Sequence, residues 1–203
     1  ARNIKALSDV AWEADDLPGQ VIPVPLDVTD TEAVKRAGKK VLSELGVPDL
    51  CILNAGNFIP TNAKRINSGD MAAQVDLNFM GVVRVLEQVI PGMVKRKSGR
   101  IAVVSSVSGY RGLRSAMGYG ATKAALINMC EAMRMELSDD NIIVQLINPG
   151  FIKTPLTDKN DFPMPFLMPL EKATDRFYRG LISERFEITF PKRFTWILKA
   201  LRL

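Results

Sequence analysis

Short apolar runs alternating with stretches of helix length constrain this chain more than any other feature. The runs are Val21-Ile22-Pro23-Val24-Pro25-Leu26, Leu50-Cys51-Ile52-Leu53, Ile101-Ala102-Val103-Val104 and Ile142-Ile143-Val144-Gln145-Leu146-Ile147. Phe186-Glu187-Ile188-Thr189-Phe190 reads as a last strand. Between them, periodicity predicts helices over 30–45, capped by Asp30 or Thr29, over roughly 70–97, ended by Ser98-Gly99, and over 118–138. Strands this short and continuously apolar are buried on both faces, and parallel neighbours need crossovers as long as these helices. The fold class expected is α/β, a doubly wound parallel sheet in one domain over 1–190, with a basic, apolar tail over 191–203. A length of 203 residues suits one such domain.

Four of the runs stop at small polar or acidic residues, namely Asp27, Asn54, Ser105-Ser106 and Asn148. Open α/β sheets bind ligands in the crevice outside the carboxyl ends of their strands. Any one of these residues can simply end a strand or cap a helix. The four together favour a nucleotide site.

Composition then narrows the chemistry. There is no histidine, which removes His-based hydrolase triads and metal sites that need imidazole. Cys51 and Cys130 are too few for a cysteine-only metal site and read as core thiols of a reduced protein, so no metal is expected. Proton transfer must come from Tyr, Lys, Ser, Asp or Glu. No apolar run reaches the roughly 18 residues of a membrane span, and the first residues lack a secretory h-region, so a cytoplasmic location is the default. The net charge of +5 is concentrated in Lys192, Arg193, Lys199 and Arg202, in a final stretch without acids. Nucleic-acid binding gains little support from a charge confined to the tail.

Tyr119-Gly120-Ala121-Thr122-Lys123 supplies an acid/base pair without histidine. A spacing of four puts both side chains on one helix face, and Gly118 and Gly120 on either side of Tyr119 leave room for a ligand. A neighbouring ammonium stabilises phenolate, so Lys123 is expected to pull the Tyr119 pKa down from its reference of about 10.

With these residues in view, the chain resembles the short-chain dehydrogenase/reductase family. The matching stretches are Asp27-Val28-Thr29-Asp30, Asn54-Ala55-Gly56, Asn78, Ser106 thirteen residues before Tyr119, the Tyr119/Lys123 pair, and Asn148-Pro149-Gly150-Phe151-Ile152-Lys153-Thr154. They run in the family's order over Ala1 to about Phe190. The resemblance implies a Rossmann-like fold and hydride transfer between NADP(H) and an alcohol or carbonyl compound. By the same resemblance Tyr119 is the proton donor or acceptor, Ser106 bonds the substrate oxygen, and Lys123 holds the ribose and tunes Tyr119. Asn78 would order a water relay to Lys123. Asp27 and Val28 would contact adenine, Asn54, Ala55 and Gly56 would approach the ribose, and Pro149, Gly150, Ile152 and Thr154 would receive the carboxamide. The family usually pairs into homodimers or homotetramers.

The sequence departs from the family at both ends. No Thr-Gly-x-x-x-Gly-x-Gly turn, which would hold the pyrophosphate, occurs in it. The chain begins where the family's second strand should end, so a segment absent from its front is expected. Where NAD-preferring relatives place an acid, Ala1 is followed by Arg2, whose guanidinium suits the 2′-phosphate of NADP. Met164, Phe166, Leu167 and Met168 fall where the family carries a substrate lid, and imply a bulky or lipid-like carbonyl substrate. The tail over 191–203 suits weak membrane-surface contact, as a peripheral anchor, or a terminal helix packing on the domain or on a second subunit. A catalytically silent, dehydrogenase-like interaction module is the alternative function.

Overall fold

In the computed structural model, which describes residues 1–155, 157–159 and 162–201, four parallel strands form one sheet in the order β1-β2-β3-β4. These are β1 (Leu50–Leu53), β2 (Gly99–Val104), β3 (Ile142–Pro149) and β4 (Glu187–Phe190). The register aligns Cys51 with Ile101, Ile101 with Val144, and Ile147 with Ile188. The helices are α1 (Ile4–Glu13), α2 (Thr31–Glu44), α3 (Ser68–Val75), α4 (Gly81–Arg96), α5 (Met117–Glu136), α6 (Leu170–Leu181) and α7 (Lys192–Ala200).

Alternation along the strands sends apolar side chains to both faces, and each face is covered. On one, Ile101, Val103, Val144 and Leu146 pack against Leu86 and Met93 of α4 and Leu126 and Cys130 of α5. Phe194 and Leu198 of α7 join the same core, so the tail docks on the domain through one face of its helix. On the other, Ala102, Ile147, Ile188 and Phe190 meet Ala173 and Leu181 of α6. The sheet is doubly wound, as the continuous apolar runs require.

The sequence does not anticipate α6, whose last turn is held from the sheet. Arg100 donates to the carbonyls of Leu181 (2.8 Å) and Ser183 (2.6 Å), and Gln145 donates to those of Ser183 (2.7 Å) and Gly180 (3.1 Å). Carbonyls that the helix itself leaves unpaired thus gain partners inside the fold.

The strand expected over 21–27 is a correction, since none forms there. Pro23 and Pro25 lack N–H donors, and the segment has no strand alongside to pair with. Its one bond of ladder type runs from Leu26 N to Ala1 O at 2.8 Å. The sheet instead opens at β1, where Leu50 and Ile52 are 40% and 42% exposed.

The expected helix over 70–97 is three segments, with a π-helical turn over Asp76–Met80 between α3 and α4. Contrary to the sequence reading, Ser68–Arg96 is long and apolar enough to cross a membrane by length and mean hydropathy. Here its apolar residues Val82, Leu86 and Met93 pack into the core. Arg202, counted in the tail charge, lies outside the described residues.

Candidate active site

Each catalytic candidate sits where a strand or helix ends beside the carboxyl edge of the sheet. Ser106 follows β2 and caps a single 3₁₀ turn, Val107–Gly109, by accepting from Ser108 N at 3.1 Å. That turn lies flat on α5 because Gly109 has no side chain: a Cβ there would come within 2.8 Å of the Lys123 carbonyl carbon. The neighbouring Ser105 is buried and donates to the Lys123 carbonyl at 2.8 Å. The end of β2 and the first turns of α5 are therefore fixed to each other, which brings Ser106 and Tyr119 to the wall of the same cavity.

Lys123 is buried, and its ammonium donates to the Val104 carbonyl at 2.9 Å. It lies 5.4 Å from the centre of the Tyr119 ring. Burial pulls its pKa down to about 8. Burial also pushes the Tyr119 phenol above its ordinary value, and the Ser106 hydroxyl draws part of that back. The expected lowering of Tyr119 by Lys123 is thus overturned, because removal from water dominates and the ammonium is directed at a carbonyl.

Gly118 and Gly120 also serve a different purpose from the one expected. A Cβ at Gly118 would meet the Gln74 amide and, at 2.8 Å, Met71 Sδ, and one at Gly120 would be 3.1 Å from Ser108 O. The two glycines let α5 pack against α3 and the 3₁₀ turn, and so place Tyr119 rather than leave space around it.

Asn78 is fully buried in the π turn, a distortion frequent at functional sites. Its Oδ1 accepts from Asn57 N at 2.8 Å, and its Nδ2 donates to Asn57 O at 2.9 Å and Thr122 Oγ1 at 3.3 Å. Thr122 in turn donates to Tyr119 O at 2.7 Å. Asn78 thereby ties the loop after β1 to α5. Gly56 in that loop stands so close that a Cβ would be 3.3 Å from Asn78 Oδ1 and 3.6 Å from Lys123 Nζ.

The candidates for the far side of the crevice gather in two groups. Asn54, Pro149, Ile152 and Thr154 line one groove of about 310 Å³ at the ends of β1 and β3. Ala55 lies exposed between Asn54 and Gly56. The other group is Arg2, Asp27 and Val28. Arg2 is 78% exposed in its side chain and 3.5 Å from the Asp27 carboxylate, which Thr29 holds below the usual carboxylate range through its backbone N–H and hydroxyl. Val28 packs on Gly81, where a Cβ would be 2.7 Å away.

Beside Tyr119 and Ser106 lies a separate cavity of about 110 Å³, lined also by Phe58, Leu113, Arg114, Gly150, Phe151 and Phe162. The Phe58 ring meets Tyr119 edge-on with centroids 5.5 Å apart. The four expected lid residues do not line it. Met168 is core, bonded through its backbone to Phe151 O and Lys153 N at 2.9 Å. Phe166 and Leu167 remain half exposed, Phe166 tilted on Phe194 at 5.7 Å, and Met164 is partly buried. Phe162, Pro163 and Pro165 of the same segment face cavities instead. Phe58 and Arg114 are site residues missed by the sequence reading, since each is placed by a loop with no motif, and Phe151 stood inside the matched stretch 148–154 without a role assigned to it. Among the described residues, no three of His, Cys, Asp or Glu come together to hold a metal ion.

The chain is similar to known proteins in sequence and in fold. A family model described as short chain dehydrogenase matches residues 1–163. An uncharacterized oxidoreductase of Myxococcus xanthus is 37% identical over 190 residues, which are 94% of this chain and 75% of that protein. A 3-oxoacyl-(acyl-carrier-protein) reductase of Thermotoga maritima is 38% identical over 153 residues, 75% of this chain and 62% of the relative. Among solved structures, a short-chain dehydrogenase from Streptomyces avermitilis has the same fold, with a TM-score of 0.84 at 21% identity over 98% of this chain and 80% of the other.

Proposed function

The chain belongs to the short chain dehydrogenase family, and from that premise we propose that it transfers a hydride between NADP(H) and an apolar alcohol or carbonyl compound. One observation carries the reading: Ser106 and Tyr119 line the wall of one cavity, with the Lys123 ammonium buried 5.4 Å from the centre of the Tyr119 ring. Two hydroxyls converging on one point suit a carbonyl oxygen that gains charge as it is reduced.

The residues present fit the ribose and nicotinamide half of such a cofactor. Asn54, Thr154 and Thr174 offer polar groups in a groove that is otherwise apolar, and the missing side chain of Gly56 keeps the approach to Asn78 and Lys123 open. The exposed Arg2 supports a 2′-phosphate over a 2′-hydroxyl. When bound, the nicotinamide supplies or accepts the hydride. The groove lined by Pro149 and Ile152 and the cavity lined by Gly150 and Phe151 adjoin along the loop that follows β3, so a ligand in one can reach a ligand in the other.

Tyr119 holds its proton at neutral pH, because burial disfavours phenolate. It would donate that proton to the carbonyl oxygen while Ser106 holds the oxygen in place. Lys123 would bind ribose hydroxyls once its ammonium leaves the Val104 carbonyl. Phe58, Phe151 and Phe162 keep water from the reacting centre. The test is NADPH oxidation by the full-length protein with a panel of apolar ketones and aldehydes. Turnover that Tyr119→Phe abolishes supports the reading, and an absence of turnover across the panel would leave the protein as a silent interaction module.

A further inference from the structure

The cavity beside Tyr119 opens into a second chamber. Leu113, Arg114, Phe151 and Phe162 line both, and from that junction a space of about 670 Å³ runs on past Pro163 and Pro165 to Phe194 and Leu198 of α7. Apart from Arg114, no charged side chain among the described residues lines either chamber. No ion pair among them includes Arg114 either, while Arg2, Arg84, Arg96 and Arg179 all have carboxylate partners. Its loop is anchored from the side, with Thr61 N donating to Ser115 O at 2.9 Å and Ala116 N to Leu113 O at 3.2 Å. A fixed loop thus presents an exposed guanidinium, in no ion pair among the described residues, at the neck of a largely apolar passage.

We infer that the substrate is a long-chain oxo compound carrying an anionic group. Its carbonyl lies on Ser106 and Tyr119, its alkyl chain passes Phe151 and Phe162 into the second chamber, and its carboxylate or phosphate pairs with Arg114. The inference rests on the oxidoreductase reading for the carbonyl and on the two chambers for the rest. Arg114 acts as a specificity residue. A guanidinium binds either anion through two parallel N–H donors, and the exposed Arg114 can take up the anionic group at the mouth while the alkyl chain lies on apolar walls. Burying the chain supplies about 0.8 kcal/mol per CH₂, so affinity should grow with chain length until the second chamber is full.

Calorimetric titration of the full chain with dodecanoate, dodecyl phosphate, 1-dodecanol and hexanoate tests this, repeated on Arg114→Leu and Arg114→Lys. At least one of the twelve-carbon anions should bind tenfold or more tightly than dodecanol, and hexanoate tenfold or more weakly than dodecanoate. Arg114→Leu should erase the preference for the anion, and Arg114→Lys should keep part of it. The better anion identifies the group. Equal binding of dodecanol and both anions, an unchanged preference in Arg114→Leu, or no binding of any twelve-carbon probe overturns the inference. Neutral ketones assayed alongside separate the two readings: turnover without anion preference sinks only this inference, and anion preference without turnover of any carbonyl compound sinks the oxidoreductase reading.

Discussion

The ammonium of Lys123 sits 5.4 Å from the centre of the Tyr119 ring yet gives its hydrogen bond to the Val104 carbonyl, 2.9 Å away. The two residues share a helix face, but the lysine is held by the end of β2. Burial leaves Tyr119 a neutral phenol beside Ser106 in the wall of one cavity.

Tyr119→Phe should therefore remove the proton donor without disturbing Lys123. Steady-state assays should show turnover falling by about 10²–10⁴-fold, the range supplied by a positioned acid or base, with cofactor affinity spared. Lys123→Ala should weaken both. A Tyr119→Phe enzyme that keeps more than about a tenth of its activity would remove Tyr119 from the mechanism.

Lys123→Met should lose activity and gain stability. Burial lowers the folded-state pKa of Lys123 from 10.5 to about 8, a cost of about 3 kcal/mol at neutral pH. Losing the bond to Val104 O returns about 1 kcal/mol of that. Between pH 8 and 10.5 the unfolded lysine binds the proton that the folded one has released, so wild-type stability rises with pH in that window. Denaturation across pH should show the advantage of Lys123→Met complete below pH 8 and fading toward 10.5. A constant difference would mean that the amine is hydrated.

Glu187 should control how α7 docks. Burial pushes its carboxyl up, but Lys199, Tyr110 and Asn148 together hold it below the ordinary glutamate value. Tyr110 donates to it at 2.6 Å and Asn148 at 3.1 Å, and Lys199 of α7 pairs with its other oxygen. A depressed carboxylate contributes stability that is full above its unfolded pKa of 4.5 and is lost as pH falls through the folded value. Hydrogen-exchange protection over Lys192–Ala200, measured relative to the intrinsic rates, should therefore fall in Glu187→Gln at pH 7 and in the wild type as pH drops below 4.5 through the lowered folded value. Unchanged protection of α7 in both would show that Phe194 and Leu198 alone hold the helix.

Gly109→Ala should disturb the site through packing. The added Cβ meets Ile127 Cδ1 at 2.7 Å and the Lys123 carbonyl carbon at 2.8 Å; the side-chain tip can turn aside, but the backbone cannot withdraw without moving α5. Overpacking of this kind costs about 1–3 kcal/mol, a melting temperature lower by roughly 5 °C for a chain of this size. Turnover should fall with it, because the displaced turn carries Ser106. Full activity at an unchanged melting temperature would mean that the turn is free to shift.

Arg2→Glu should change the choice of cofactor. The carboxylate would repel a 2′-phosphate and accept a ribose hydroxyl, so the ratio of kcat/KM for NADPH over NADH should drop at least tenfold. An unchanged ratio would assign Arg2 to solvent.

The sheet and the Ser106, Tyr119 and Lys123 positions were legible because they follow from local rules: apolar continuity, a four-residue helical spacing, and polar residues at strand ends. Residues 21–27 misled because a strand needs a neighbour, and pairing is not a local property. The direction of the Tyr119 shift was hidden for a related reason. Sequence shows that a lysine stands one turn on, not that its amine will reach back to Val104. Phe58 and Arg114 come from two loops, and Phe151 and Phe162 from separated points of the connection between β3 and α6, and only the folded chain brings them to one cavity.

The π turn at Asp76–Met80 lets one continuous rod serve two masters. A residue added to a helical turn rotates everything after it by about 100°. Gln74 and Asn78 therefore point to the loop after β1, while Leu86 and Met93, on the same rod, point to the sheet. Removing one residue from this turn would restore an unbroken α-helix and turn either the loop anchors or the core stripe the wrong way. In the evolution of this chain, loops can lengthen or shorten freely, but these five residues must be inherited as a fixed count.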